Sequence, residues 1–162
     1  MNRLLLALLF LWALAGSATA EPQIFIVRHA EKAEATAGRD SKDPDLSPAG
    51  RARAESLARI LRDAELTAIY ATEFKRTRET AVPAARAAHV EVTVVPAQET
   101  GALVSSLRAA KGNALIVAHS NTIPVIIKAL GIERDVSVDD KDYDNLFIVL
   151  SDPQPRLLRL HY

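Results

Sequence analysis

The stretch Ile24–Ala33, IFIVRHAEKA, constrains this chain more than any other. Four apolar residues, Ile24 to Val27, run without alternation and stop abruptly at Arg28-His29, with Glu31 and Lys32 just beyond. A short unbroken apolar run of this kind reads as a strand buried on both faces, as in a parallel sheet covered by helices. In open sheets of that type, ligands sit outside the carboxyl ends of the strands. A guanidinium and an imidazole at that edge make an anion site with a candidate nucleophile.

The pattern recurs along the chain. Leu66–Ala71 reads as a second core strand, leaving through Thr72-Glu73-Phe74-Lys75-Arg76-Thr77 into a helix that runs on through Arg86. Arg76 therefore falls near a helix N-terminus, where unpaired amides and the helix dipole favour an anion. Val90–Val95 is a third strand, and Glu99 lies in the loop after it. Leu103–Ala110 makes a short helix, and Gly112-Asn113 turns the chain into the strand Ala114–Ala118. That strand ends at His119-Ser120-Asn121-Thr122, ahead of a helix over Ile123–Leu130 with Pro124 in its first turn.

Between the first two strands, Glu34–Asp45 reads as an exposed loop, and Ser47 and Pro48 fit the N-cap and first position of a helix. Leu57, Ile60, Leu61 and Ala64 fall on one face of that helix, with Arg51, Arg53, Glu55, Arg59 and Arg62 assigned to solvent. Gly131 caps the last helix, Asp135–Asp144 is an acidic loop, and Asn145–Leu150 and Leu157–Leu160 are strands joined through Pro153 and Pro155 at a sheet edge. His89 and His161 are placed in solvent with no role. Strand and helix alternate, so the fold class is α/β, a mainly parallel sheet with helices on both faces.

Length and composition narrow the function. At 162 residues the chain suits a single domain. Its formal net charge of +0 gives no electrostatic case for nucleic acid or an anionic membrane surface. There is no cysteine, hence no disulfide and no thiolate metal site, and the 4 histidines include no HExxH pair. No metal and no cofactor is expected. The oligomeric state is left open.

Residues 1–20 stand apart. Arg3 precedes a continuous apolar run, Leu4–Ala15, followed by Gly16-Ser17-Ala18-Thr19-Ala20. The run falls short of the roughly 18 residues of a spanning helix, and Ala18-x-Ala20 fits a signal-peptidase site. A cleavable signal peptide is predicted, cut after Ala20, with the domain over 21–162 and no membrane span left after cleavage. A cysteine-free exported domain suits a periplasm or secretion, where it folds without needing oxidation.

Three strand exits thus carry Arg28-His29, Arg76 and His119. Arginine pairs bidentately with phosphate oxygens in a way lysine does not. A neutral histidine between such groups can form a covalent phosphoenzyme. Phosphoryl transfer needs chiefly positioning and charge stabilisation, which these side chains could supply without a metal.

RHAEK, LSPAG, the A-T-x-x-x-R-T-x-x-T-A run at Ala71–Ala81 and VAHSN together resemble the histidine phosphatase (phosphoglycerate-mutase-like) superfamily, in the order and spacing of its branch 1. The resemblance covers nearly the whole chain after residue 20. It implies a three-layer α/β/α sandwich, His29 as the nucleophile that takes the phosphoryl group, and Arg28, Arg76 and His119 as the rest of the phosphate pocket, with Ser120 beside them. His119 would be cationic, or a donor, toward the phosphoryl oxygens. Ala30 and Ser120 stand where the family has glycine. The His-Asp pair of the branch 2 phosphatases and phytases is absent. The family's proton donor matches Glu99 best by position, with Glu31 and Asp142 as alternatives.

The implied activity is a metal-independent phosphomonoesterase acting on a small phosphorylated substrate. An envelope phosphosugar suits the exported members. A phosphohistidine-protein phosphatase and a mutase-like phosphotransferase are the alternatives within the class, and a non-catalytic phospho-ligand binding module is the alternative outside it. Specificity is expected from Glu34–Asp45, Gln98–Gly101 and Asp135–Asp144.

Overall fold

A computed structural model describes residues 21–34, 42–151 and 154–162. The predicted signal peptide, most of the Glu34–Asp45 loop and Pro153 lie outside these residues.

The elements are β1 (Gln23–Arg28), α1 (Pro48–Ile60), β2 (Leu66–Ala71), α2 (Lys75–Ala88), β3 (Val92–Val94), α3 (Thr100–Ala109), β4 (Asn113–Ala118), α4 (Ile123–Ala129), β5 (Asn145–Leu150) and β6 (Arg156–His161). They form one six-stranded sheet in the order β3-β2-β4-β1-β5-β6. The first four of these strands run parallel, and β5 and β6 add two antiparallel pairings at the other side. Register aligns the exits of the central strands, with Arg28 beside Ala118 and Ala71 beside Val117.

Strand alternation sorts the core into two layers. Ile24, Ile26, Ala114, Ile116 and Ala118 point to one face, where they pack with Leu103 and Leu107 of α3 and Ile123, Ile126 and Ile127 of α4. Phe25, Val27, Leu115 and Val117 point to the other, against Leu57 and Ala58 of α1 and Ala81, Ala84 and Ala85 of α2. Both faces of β1 and β4 are therefore dry, which is why their sequences read as unbroken apolar runs. Each fully buried Ile, Leu or Phe contributes about 1.5–3 kcal/mol. The result is the expected three-layer α/β/α sandwich. Among the described residues no helix is long and apolar enough to cross a membrane.

Local chemistry sets the boundaries. Ser47 caps α1, its hydroxyl accepting from Gly50 N–H at 3.0 Å, with Pro48 in the first turn. Gly50 faces the backbone of Glu31 so closely that a Cβ there would overlap the Glu31 carbonyl oxygen. The LSPAG glycine thus lets α1 press against the segment that leaves β1. Gly131 closes α4 as expected: it follows the C-cap Leu130 with φ +90, its N–H donating to Lys128 O and that of Ile132 to Ile127 O.

Three expectations change. Ile60 is 49% exposed rather than packed with Leu57 and Leu61. The third strand is shorter than Val90–Val95, because His89 adopts a left-handed conformation at the end of α2 and Val90 N–H closes that cap on Ala85 O. Arg53 is not a solvent-facing residue. Its Nε lies 3.0 Å from both carboxylate oxygens of Glu31, its Nη2 2.7 Å from Oε1, and its Nη1 donates to Tyr162 O.

Candidate active site

The strand exits converge on a cleft of about 480 Å³. Arg28, His29, Arg76, His119 and Ser120 all line it, together with Lys32, Glu73, Phe74, Asp140 and Tyr143.

His29 sits at the end of β1 and is 4% exposed. Its Nδ1 is 2.8 Å from Ala30 O. A carbonyl oxygen only accepts, so Nδ1 carries the proton and Nε2 carries the lone pair. Burial pushes the ring's pKa down to about 3. The bond to Ala30 opposes this, and the charges of Arg28, His119 and Arg76 reinforce it. The ring is a neutral base at neutral pH. Ala30 is wholly buried and its N–H donates to Thr80 Oγ1 at 2.9 Å, while Thr80 donates to Arg76 O at 2.7 Å. One threonine of α2 therefore couples the His29 turn to the backbone of Arg76.

His119, at the end of β4, is tied to a second threonine pair. Its Nε2 is 2.9 Å from Thr72 Oγ1, which is 2.8 Å from Thr77 Oγ1. Thr77 has one hydroxyl proton and two carbonyl acceptors, Phe74 O at 2.7 Å and Thr72 O at 3.1 Å. With that proton committed, Thr72 donates to Thr77 and accepts from His119. So His119 Nε2 is protonated and Nδ1 is the lone-pair nitrogen of the neutral ring. Burial pushes its pKa down to about 4, with Arg76 adding to the shift and Glu73 opposing it. Phe74 meets the ring edge-on at 5.2 Å, and the His29 and His119 centroids are 5.4 Å apart. The His119 ring is neutral at neutral pH.

The two guanidiniums are each met by a carboxylate. Arg28, 5% exposed, donates from Nη1 to Asp139 O at 3.1 Å, holds Asp140 at 3.6 Å and lies 4.2 Å over the Tyr143 ring. Among the described residues its buried Nε has no hydrogen-bond partner. Ser120 Oγ donates to Asp140 at 2.6 Å. That bond, with Arg28 next, holds the Asp140 carboxyl below its usual range. Arg76 lies 3.5 Å from Asp43 and 4.3 Å over Phe74. Asp43 also takes the N–H of Lys75 at 3.0 and 3.1 Å, so the anion at this helix N-terminus is a side chain of the protein itself.

None of the three expected proton donors lines the cleft. Glu99 occupies the N-cap position of α3 and borders a separate, small apolar cavity between the ends of β2 and β4 and helices α3 and α4. Glu31 faces Arg53. Burial acts to raise its pKa, but the hydrogen bonds from Arg53 and its own amide win and keep it ionised. Asp142 turns to Arg159, 3.8 Å away, and accepts from Asp139 N–H. Position relative to a strand cannot find a donor whose direction is set by an irregular loop. The cleft carboxyls missed in the sequence are Glu73 and Asp140. Glu73 was visible as a charged residue three before Arg76, on the same strand exit.

Residues 24–99 match the model of the histidine phosphatase superfamily (branch 1). No curated protein matches the chain. Solved structures similar to it include SixA from Agrobacterium tumefaciens, assigned as a phosphohistidine phosphatase, at 21% identity and a TM-score of 0.64, over 86% of this chain and 98% of that one. The protein histidine phosphatase SixA complexed with tungstate superposes at a TM-score of 0.68 and 17% identity, over 86% and 96% of the two chains. A mycobacterial glucosyl-3-phosphoglycerate phosphatase does so at 0.64 and 15%, over 87% and 98%. At these identities the structural likeness establishes the fold.

Proposed function

The chain belongs to the histidine phosphatase superfamily, branch 1, and from that premise we propose that it is a metal-independent phosphomonoesterase working through a phosphohistidine at His29. The observation that carries this reading is the His29–Ala30 bond of 2.8 Å, which leaves Nε2 as the lone-pair atom of a neutral ring lining the cleft. Arg28 and Arg76 bring fixed positive charge to the same cleft, and Lys32 adds a third cation. Nε2 attacks phosphorus, the phosphorus–oxygen ester bond breaks, and the arginines stabilise charge on the equatorial oxygens. Water then releases phosphate from the histidine.

Arriving phosphate competes with Asp140 for Arg28 and with Asp43 for Arg76. As it brings negative charge beside His119, a proton on Nδ1 becomes favourable, and the ring turns into a donor. The small substrate is proposed to be an envelope phosphosugar, with the protein in the periplasm or secreted after cleavage behind Ala20. The likeness to a glucosyl-3-phosphoglycerate phosphatase supports a small sugar-bearing phosphate ester, and the run Leu4–Ala15 supports export.

The test is phosphate release from an aryl phosphate in EDTA, beside His29→Ala. EDTA-resistant turnover that the variant loses supports the reading. Turnover that survives in the variant, or that EDTA abolishes, removes it.

A further inference from the structure

Phosphoenzyme formation expels an alkoxide unless a proton reaches the departing oxygen, so an ester with a poor leaving group needs an acid in the cleft. Among the described residues two carboxyls line it, Glu73 and Asp140. Asp140 is engaged on the phosphate side, bonded to Ser120 at 2.6 Å and paired with Arg28 at 3.6 Å. Both contacts tie Asp140 to groups of the phosphate pocket. Glu73 differs. Its Oε2 accepts from Ala97 N–H at 2.8 Å, which fixes the carboxyl across the strand exits of β2 and β3. Among the described residues its Oε1 has no partner. Glu73 stands on the same exit as Thr72 and Arg76.

We propose that Glu73 is the proton donor of this phosphatase, on the side of the cleft opposite Asp140 and Arg28. The inference rests on the proposed His29 chemistry and deepens it. In the first step His29 Nε2 bonds to phosphorus and the ester oxygen leaves with the bonding pair. It takes the carboxyl proton of Glu73, which becomes a carboxylate. In the second step a water attacks phosphorus and gives its proton to that carboxylate. The phosphorus–nitrogen pair returns to Nε2, and both residues regain their starting states. A donor held by one oxygen on a backbone amide keeps its orientation through both steps, which is what proton transfer in each direction requires.

The test is a leaving-group series, from dinitrophenyl to phenyl phosphate, read as kcat/KM, which reports phosphoenzyme formation. Glu73→Gln keeps an oxygen for the Ala97 amide and removes the acid. It is expected to slow phenyl phosphate on the order of 10²-fold or more, with dinitrophenyl phosphate, whose phenolate needs no proton, falling less than about tenfold. Glu133→Gln, at an exposed residue away from the cleft, is the control and leaves both substrates at wild-type rates. A Glu73→Gln enzyme that loses the same factor on every substrate, or nothing on phenyl phosphate, overturns the assignment. Turnover retained by His29→Ala would instead remove the underlying histidine mechanism, so the two failures are separable.

Discussion

Thr72 Oγ1 lies 2.9 Å from His119 Nε2, and the hydroxyl is itself 2.8 Å from Thr77 Oγ1. That contact decides which nitrogen of His119 meets the ligand. Thr72→Val removes the acceptor and leaves the ring able to take either tautomer. Turnover is expected to fall about 10–100-fold, the usual cost of losing a partner that orients a functional histidine. Thr72→Ser retains the hydroxyl and recovers most of the rate. Nitrogen NMR of the free protein checks the cause: wild type carries the His119 proton on Nε2, and the valine variant shows a mixture.

The buried histidines make the fold acid-sensitive in a defined window. Burial holds His29 at about 3 and His119 at about 4, against 6.5 for an ordinary histidine. Below about pH 6.5 the unfolded chain binds protons that the native one does not, so stability falls as pH falls. Above that pH neither state binds them and they add no slope. By ~pH 5 each histidine costs about 1–2 kcal/mol. Urea unfolding at ~pH 7 and ~pH 5 measures the loss, which shrinks in His29→Gln and His119→Gln.

Asp140 and Ser120 form an internal competitor for Arg28. Asp140→Asn removes the competing charge, so inorganic phosphate inhibits the variant at lower concentration than wild type. The gain diminishes in high salt, since Asp140 is an exposed side chain and its pairing is screened. An unchanged inhibition constant would mean that Asp140 does not meet the ligand.

Gly50 is the contact point of α1 with the segment behind His29. Gly50→Ala sets a methyl against the Glu31 carbonyl. It is expected to cost about 1–3 kcal/mol in urea unfolding, as overpacking does, and to lower turnover because the His29 turn shifts with Glu31.

Much of this architecture could be read from the sequence because the central strands are dry on both faces. Ile24–Val27 and Ala114–Ala118 leave no ambiguity about where apolar chain ends and chemistry begins, and that boundary places Arg28, His29 and His119. Arg76 is placed by the short exit Thr72–Phe74, which leads straight from β2 into the first turn of α2. The carboxylates were harder. Glu31, Glu99 and Asp142 each follow a strand or sit in an acidic loop, but Arg53 and Arg159 hold Glu31 and Asp142 elsewhere, and Glu99 borders a different cavity. Arg53 looks like any charged helix residue until the chain's end brings Tyr162 beside it. The threonines of the RTxxT run carried a hidden role as well: Thr77 serves His119 through Thr72, and Thr80 serves His29 through Ala30. Nothing in their spacing announces partners some fifty residues away.

The most direct measurement is to trap the covalent species. The protein is mixed with a labelled aryl phosphate in EDTA, quenched in alkali where phosphohistidine survives, and digested for peptide mapping. The account predicts label on the peptide carrying His29, lost with His29→Ala and retained, at a lower formation rate, with Thr72→Val. Label on another residue, or steady turnover with none trapped on His29, would contradict it.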